Sequence, residues 1–310
     1  MAEKHLFLGV EAIWASPRMR DLFEQVRRIA QSALPVILLG ESGSGREVIA
    51  RALHSCSPRH PKPFVDLSCG SLPADLIESE LFGHERGSLS APRSTRPGLL
   101  ELAHQGTLFL NEIGSLAPRT EAKLLQAFDS AHGRRLGHVR QPRTDVRIIA
   151  ATSAPSSAQR LFSALSARDT AQLLKIPPLR ERPEDIEFLA CHFLSQQNPE
   201  LRFASGAMTA LYSYLWPGNV RELRNTVLRS ALMAKGPLLH ADDILFSPAV
   251  PGATAGVAGL EPALIRQALA DSGGRLQRAA DSLGISRHAL SRKIRSYGLN
   301  PTTLIERISV

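Results

Sequence analysis

The sequence predicts an α/β domain with a mostly parallel sheet and helices on both faces, then an all-α segment and a small helical module at the C-terminal end. Three observations carry this prediction. Short apolar runs alternate with helical periodicity through the first half. A glycine-rich loop, Gly40 to Glu47, follows an early apolar run and opens a helix. Strand signals stop after Pro177-Pro178, and beyond that point the apolar spacing is helical.

Taken in order, Pro35 to Leu39 reads as a buried strand. Arg46 to Ser57 reads as a helix with Val48, Ile49, Ala52 and Leu53 on one face. Phe64 to Leu67, Thr107 to Leu110, Val146 to Ala151 and Leu173 to Ile176 are further strands, and their separation by helices implies parallel pairing. From Glu184 to Ile244 the pattern is helical, broken at Pro217-Gly218-Asn219. Asn219 is the predicted N-cap of a helix running to about Lys235, which Gly236-Pro237 ends. The small residues, prolines and glycines of 247–258 read as a linker. The expected divisions are a short N-terminal tail at 1–12, an α/β subdomain at 13–177, a helical lid at 178–246, the linker at 247–258 and a terminal module at 259–310.

That terminal module is the least ambiguous segment. Glu261 to Ala270 forms an amphipathic helix with Leu264, Ile265, Ala268 and Leu269 inward, and Gly273-Gly274 breaks it. Leu276 to Leu283 is a second helix, Gly284-Ile285 a tight turn, and Ser286 the cap of a third helix reaching about Tyr297. Helix, glycine turn and capped helix is the helix-turn-helix pattern. Leu290 and Ile294 face inward, while Arg287, His288, Ser291, Arg292 and Arg295 point out as donors for phosphates and guanine edges. Eight Lys/Arg against four Asp/Glu give residues 259–310 a net charge of +4, half of the +8 carried by the whole chain. Duplex DNA is therefore the expected partner. Such modules read paired half-sites, so an oligomer is expected.

Composition closes several other classes. The 310 residues suffice for two or three cored domains. No apolar run has the ~18–20 residues needed to span a bilayer, and the opening Met1-Ala2-Glu3-Lys4-His5 lacks signal-peptide order. Cys56, Cys69 and Cys191 are widely spaced and odd in number, which suits a reducing cytoplasm and neither a disulfide frame nor a zinc site. The histidines show no ligand spacing, so no metal ligand set is predicted from them. Low aromatic content argues against a single-strand stacking platform.

The loop Gly40-Glu41-Ser42-Gly43-Ser44-Gly45-Arg46-Glu47 has the layout of a phosphate-cradling P-loop. Backbone N–H groups of such a turn and of a helix N-terminus grip an anion. Arginine stands where the chemistry wants lysine, and a forked guanidinium does not replace a compact ammonium conservatively. The strand Thr107 to Leu110 ends in Asn111 and Glu112, a Walker B layout: the first position belongs to the magnesium shell, the second to activation of the attacking water. Ser153, at the end of another strand, offers a polar tip. Arg221, just after the Pro-Gly-Asn break, can reach phosphates from the lid.

Four ordered motifs carry a resemblance: the P-loop, Glu80-Leu81-Phe82-Gly83-His84-Glu85, Pro178-Leu179-Arg180-Glu181-Arg182, and Trp216 to Leu223. Together they resemble the AAA+ activators of sigma-54 RNA polymerase, the bacterial enhancer-binding proteins, over roughly residues 8–300. The tail resembles the Fis-type helix-turn-helix of that family. The resemblance implies a ring-forming ATPase that binds an upstream enhancer-like DNA site and remodels the closed promoter complex. ATP and Mg2+ are its implied cofactors. Family members often carry an N-terminal sensory domain, and the short 1–12 segment gives no expectation of one. Mixed oligomers with a related AAA+ activator fit as well as homo-oligomers.

The departures fall on the working parts. Arg46 replaces the P-loop lysine and Asn111 the Walker B aspartate, which weakens the expected magnesium binding. Ser68 matches the asparagine that restrains the catalytic glutamate. The sigma-contacting loop reads Gly87-Ser88-Leu89-Ser90-Ala91-Pro92, without its aromatic and stiffened by proline. Of the two trans-acting arginines, one position is Phe162 and only Arg168 remains. Glu112 and Arg221 are retained. The expectation is ATP binding with weak or absent hydrolysis; the rival is an active ATPase that remodels polymerase.

Overall fold

The computed structural model describes residues 2–83, 97–116, 118–131, 145–166, 171–234 and 236–246, with Leu269, Leu276, Arg278, Ala279 and Leu290 of the tail. His84 and Glu85, the 87–92 loop, Arg168, the 247–258 linker and Arg287, His288, Ser291, Arg292 and Arg295 lie outside the described residues. The chain divides into two compact units, Met1–Leu245 and Phe246–Val310.

The first unit opens with a hairpin of β1 (Glu3–Phe7) and β2 (Val10–Trp14), followed by α1 (Pro17–Ala30). The α/β body then runs β3 (Val36–Leu39), α2 (Arg46–Ser55), β4 (Phe64–Ser68), α3 (Ala74–Phe82), α4 (Leu99–Leu102), β5 (Thr107–Asn111), α5 (Pro118–Ala131), β6 (Arg147–Thr152), α6 (Pro155–Ser166) and β7 (Gln172–Lys175). Beyond it come α7 (Glu184–Gln197), β8 (Arg202–Phe203), α8 (Ser205–Ser213), α9 (Asn219–Leu232) and β9 (Leu238–Leu239).

The central sheet has the order β4-β5-β6-β3-β7, and every pairing is parallel. Parallel strands are covered on both faces, and their alternation divides the core in two. Val36 and Leu38 of β3, Phe109, Ile149 and Ala151 pack toward α1 and α2 with Leu22, Phe23, Ile49 and Leu53. Ile37, Leu108, Leu110, Ile148 and Ala150 face the opposite way, against Ile77, Leu81, Leu161 and Leu165. Each fully buried Leu or Phe of these layers contributes about 2 kcal/mol.

A buried cation ties the first layer together. Arg147, 1% exposed, donates to the carbonyls of Ile29, Ala30 and Leu53 at 2.9, 3.2 and 3.4 Å, and so caps the C-terminal ends of α1 and α2. Burial lowers its pKa to about 10, which leaves it charged at neutral pH.

The structure corrects three expectations. The supposed tail at 1–12 is mostly strand: Leu8 and Gly9 both have positive φ (47° and 78°), the turn that a two-residue hairpin requires. The region after Pro178 is not purely helical, because β8 and β9 pair in parallel over two residues. Asn219 does not cap its helix. Gly218 occupies the cap, Glu222 accepts from its N–H at 2.7 Å, and the described helix ends at Leu232.

In the second unit, Leu269, Ala279 and Leu290 are helical and buried, in keeping with the expected inward faces of Leu269 and Leu290. No helix of the described residues is long and apolar enough to cross a membrane.

Candidate nucleotide site

Strand β3 lies between β6 and β7, so the chain leaving Leu39 emerges at the C-terminal edge of the sheet, where α/β folds place their ligands. Gly40 donates to the Thr152 carbonyl at 3.2 Å and starts the turn. Gly43 and Gly45 adopt left-handed φ values of 76° and 105°, and α2 begins at Arg46. The turn therefore directs backbone amides and a helix N-terminus at one point.

Arg46 does not extend to solvent. It is 4% exposed, and its Nη2 donates to Glu112 Oε1 at 3.1 Å. Burial pushes its pKa below the ordinary guanidinium range, and Glu112 works against that shift. Glu112 has a left-handed φ of 57°, uncommon for a side chain with a Cβ and typical of strained functional positions. Gly70 makes room for it: a methyl at Gly70 would stand 2.5 Å from Glu112 Oε2. Burial, and Glu112 secondarily, raise the neighbouring Cys69 thiol to about 12, so this cysteine is no nucleophile. Cys56 is half-buried and Cys191 exposed, and all three cysteines are free.

Three buried polar atoms of this corner have no hydrogen-bond partner: Ser44 Oγ, Arg46 Nη1 and Asn111 Oδ1. Buried polar groups are nearly always satisfied, so orphans gathered where the loop, the start of α2 and the end of β5 meet point to a polar ligand. A polyphosphate fits, because its oxygens accept from a hydroxyl and a guanidinium.

A divalent cation fits poorly. Asn111 is neutral, Glu112 is paired with Arg46, and Glu47 holds Arg51 through bonds of 3.0 and 2.8 Å. Among the described residues no cluster of three His, Cys, Asp or Glu can hold a metal ion.

The lid meets the other side of the same loop. Arg180 forks onto Glu41 at 2.8 and 2.6 Å and thereby lowers the Glu41 pKa. Asn219, fully buried with φ 55°, donates to Glu41 and to the Ser42 carbonyl at 3.1 Å each, and accepts from Leu179 N–H at 2.7 Å. Asparagine tolerates this backbone region better than most residues. Arg221 reaches Ser42 Oγ at 2.8 Å, and Val220 N–H donates to the Gly43 carbonyl at 3.0 Å. A side chain at Gly43 would collide with the Gly218 carbonyl oxygen.

Deeper still, Arg182 donates to the Ser44 carbonyl at 2.6 Å and pairs with Asp185 at 3.6 Å. Asp185, 0% exposed, also accepts from the Ala15 and Ser16 amides at 2.6 and 2.8 Å, which links lid, P-loop and the start of α1.

Sequence reasoning overlooked an apolar niche of about 90 Å³ between the hairpin, α2 and α7. Ala12, Trp14, Phe23, Val48, Leu189 and Phe193 line it, and Ser44 and Gly45 border it. Trp14 stacks on Phe23 at 3.7 Å, and His192 pairs with Glu11 at 2.8 Å from α7 to β2. The available signal was the alternation of Val10, Ala12 and Trp14. Ser153 stands apart from the Arg46 corner's bonds, in a groove of about 550 Å³ with Gly40, Glu41, Arg180 and Lys175.

Comparison with known proteins places these features in context. The Sigma-54 interaction domain matches residues 12–165, the AAA+ ATPase lid domain 180–250, and the Fis family of bacterial regulatory proteins 257–297. The regulatory protein AtoC of Escherichia coli is 36% identical over 333 residues, covering 96% of this chain and 71% of AtoC. The Nif-specific regulatory protein of Herbaspirillum seropedicae is 43% identical over 73% of this chain, but the match spans only 44% of that protein's length. Among solved structures, NtrX from Brucella abortus in complex with ADP superposes with a TM-score of 0.65 at 27% identity, over 92% of this chain and 68% of NtrX. An ATP complex of the same protein gives 0.64.

Proposed function

The chain belongs to the sigma-54 activator family of bacterial transcription regulators, and on that premise we propose that it binds ATP with little or no turnover while its tail grips duplex DNA. The observation that carries this reading is the pairing of buried Arg46 with the partly exposed Glu112. The carboxylate that would prepare water is held by the arginine that stands in place of the phosphate lysine. In the proposal the P-loop, residues 40–47, wraps the phosphates with Arg221 approaching from the lid, and the niche beside Trp14 takes the base. ATP supplies the ligand charge that this loop is built to hold. The chain's own residues orient it, exclude water on the lid side and keep Glu112 occupied.

DNA contact is assigned to Arg287, His288, Ser291, Arg292 and Arg295, with the chain acting as an oligomer of itself or mixed with a related activator. Removing one phosphate-contacting arginine, as in Arg292→Ala, is expected to lower the salt slope of DNA binding by about 1. Retention of Glu112 and Arg221 supports the rival reading, an active ATPase that remodels sigma-54 polymerase complexes.

Steady-state phosphate release discriminates the two. The expected result is a rate near background for the parent chain, and gain of turnover in the Arg46→Lys plus Asn111→Asp double variant. A brisk parental rate that Glu112→Ala abolishes would overturn the proposal in favour of the rival.

A further inference from the structure

Resting on the proposal that the P-loop holds ATP, we infer that nucleotide binding here needs no divalent cation, because the side chains that would hold the ion are neutral or already engaged while Arg46 keeps a donor for a phosphate oxygen. The placement of Arg46 is the first support. It is the opening residue of α2 and 4% exposed, so its cation lies within the phosphate turn and not in solvent. Its two terminal nitrogens are used unequally: Glu112 takes Nη2 at 3.1 Å, and Nη1 is buried with no partner. A guanidinium is a planar fork of donors, so the nitrogen left over can donate to a phosphate oxygen while the first stays on its carboxylate.

The acid inventory is the second support. A hydrated magnesium ion is usually held by one or two carboxylates together with substrate phosphates. Here Asn111 contributes a neutral amide whose Oδ1 is buried and unpartnered, an acceptor without the charge to balance a metal. Glu47 is engaged by Arg51 at 3.0 and 2.8 Å. Among the described residues the carboxylate at this corner is Glu112, and a magnesium ion there would share it with Arg46 and meet the guanidinium's repulsion. Arg46 instead stands between one carboxylate and the incoming phosphate, and offers that phosphate a donor without a metal.

The full chain titrated with N-methylanthraniloyl-labelled ATP, in excess magnesium chloride and separately in EDTA, tests this directly. Dissociation constants within about threefold of one another are expected, where a magnesium-dependent site would differ by about tenfold or more. Magnesium tightening of tenfold or more, with clear binding still present, overturns this inference and leaves the nucleotide proposal standing. Absence of binding in both buffers overturns the nucleotide proposal and this inference with it.

Two variants add independent readouts, each checked for a cooperative melt. Asn111→Asp is expected to acquire magnesium dependence of about tenfold. Arg46→Ala is expected to lose binding in EDTA and recover part of it with magnesium; unchanged binding in EDTA would overturn the inference.

Discussion

The two sides of the P-loop are built differently. On the lid side the loop is met at four successive residues: Glu41 by Arg180 and Asn219, Ser42 by Arg221, the Gly43 carbonyl by Val220 and the Ser44 carbonyl by Arg182. On the sheet side Arg46–Glu112 is the side-chain bond, and Ser44 Oγ, Arg46 Nη1 and Asn111 Oδ1 stay unpartnered around it. A satisfied network holds the loop's shape before any ligand arrives, and orphaned atoms leave work for a ligand to do. The contrast teaches that the lid side of the loop is held by the protein's own bonds, while the sheet side centres on the Arg46–Glu112 pair and leaves polar atoms unmet.

The sharpest way to break the comparison is at Asp185. Asp185→Ala strands the buried Arg182 and leaves the Ala15 and Ser16 amides ahead of α1 without their acceptor, so urea denaturation is expected to show a loss of about 3–5 kcal/mol. A loss below about 1 kcal/mol would mean the lid side is not the rigid half.

Gly43→Ala comes next. Its left-handed φ of 76° and the facing Gly218 carbonyl both oppose a side chain, with a cost of about 1–3 kcal/mol. Weaker binding of labelled nucleotide should accompany it, since relief requires the lid to back away. Equal affinity would uncouple lid from loop.

The smallest effect concerns pH. Arg180 depresses the Glu41 pKa below its ordinary value of 4.5, so the unfolded chain binds the proton more readily than the folded one. Stability from this pair is therefore fully present above pH 4.5 and is lost as pH falls through the lower folded value. The pair is about two-fifths exposed, so its worth is under about 1 kcal/mol, and Glu41→Gln should flatten that part of the acid profile.

The sheet was legible because its strands are compact apolar runs between helical segments, a signal that survives without tertiary context. The P-loop was legible because glycine is needed where φ turns positive, as at Gly43 and Gly45. The hairpin was not, since its turn uses Leu8-Gly9 where Asn-Gly would have announced it. Asn219 was misread for a physical reason: a short polar side chain after Pro-Gly suits a cap equally well as a cross-link. Only the folded lid shows its amide reaching 177 and 178 residues back to Ser42 and Glu41. The Arg46–Glu112 bond spans 66 residues, beyond any local pattern.

The chain has two tryptophans, and they flank the proposed crevice: Trp14 in the wall of the apolar niche, Trp216 two residues before the Gly218 that abuts Gly43. Both are almost wholly buried, at 1% and 0% exposure. The molecule thus carries its own optical gauge. Emission from Trp14 is expected to respond if a base enters the niche, emission from Trp216 if the Gly218 segment shifts against Gly43, and a single Trp→Phe replacement assigns each signal without an added dye.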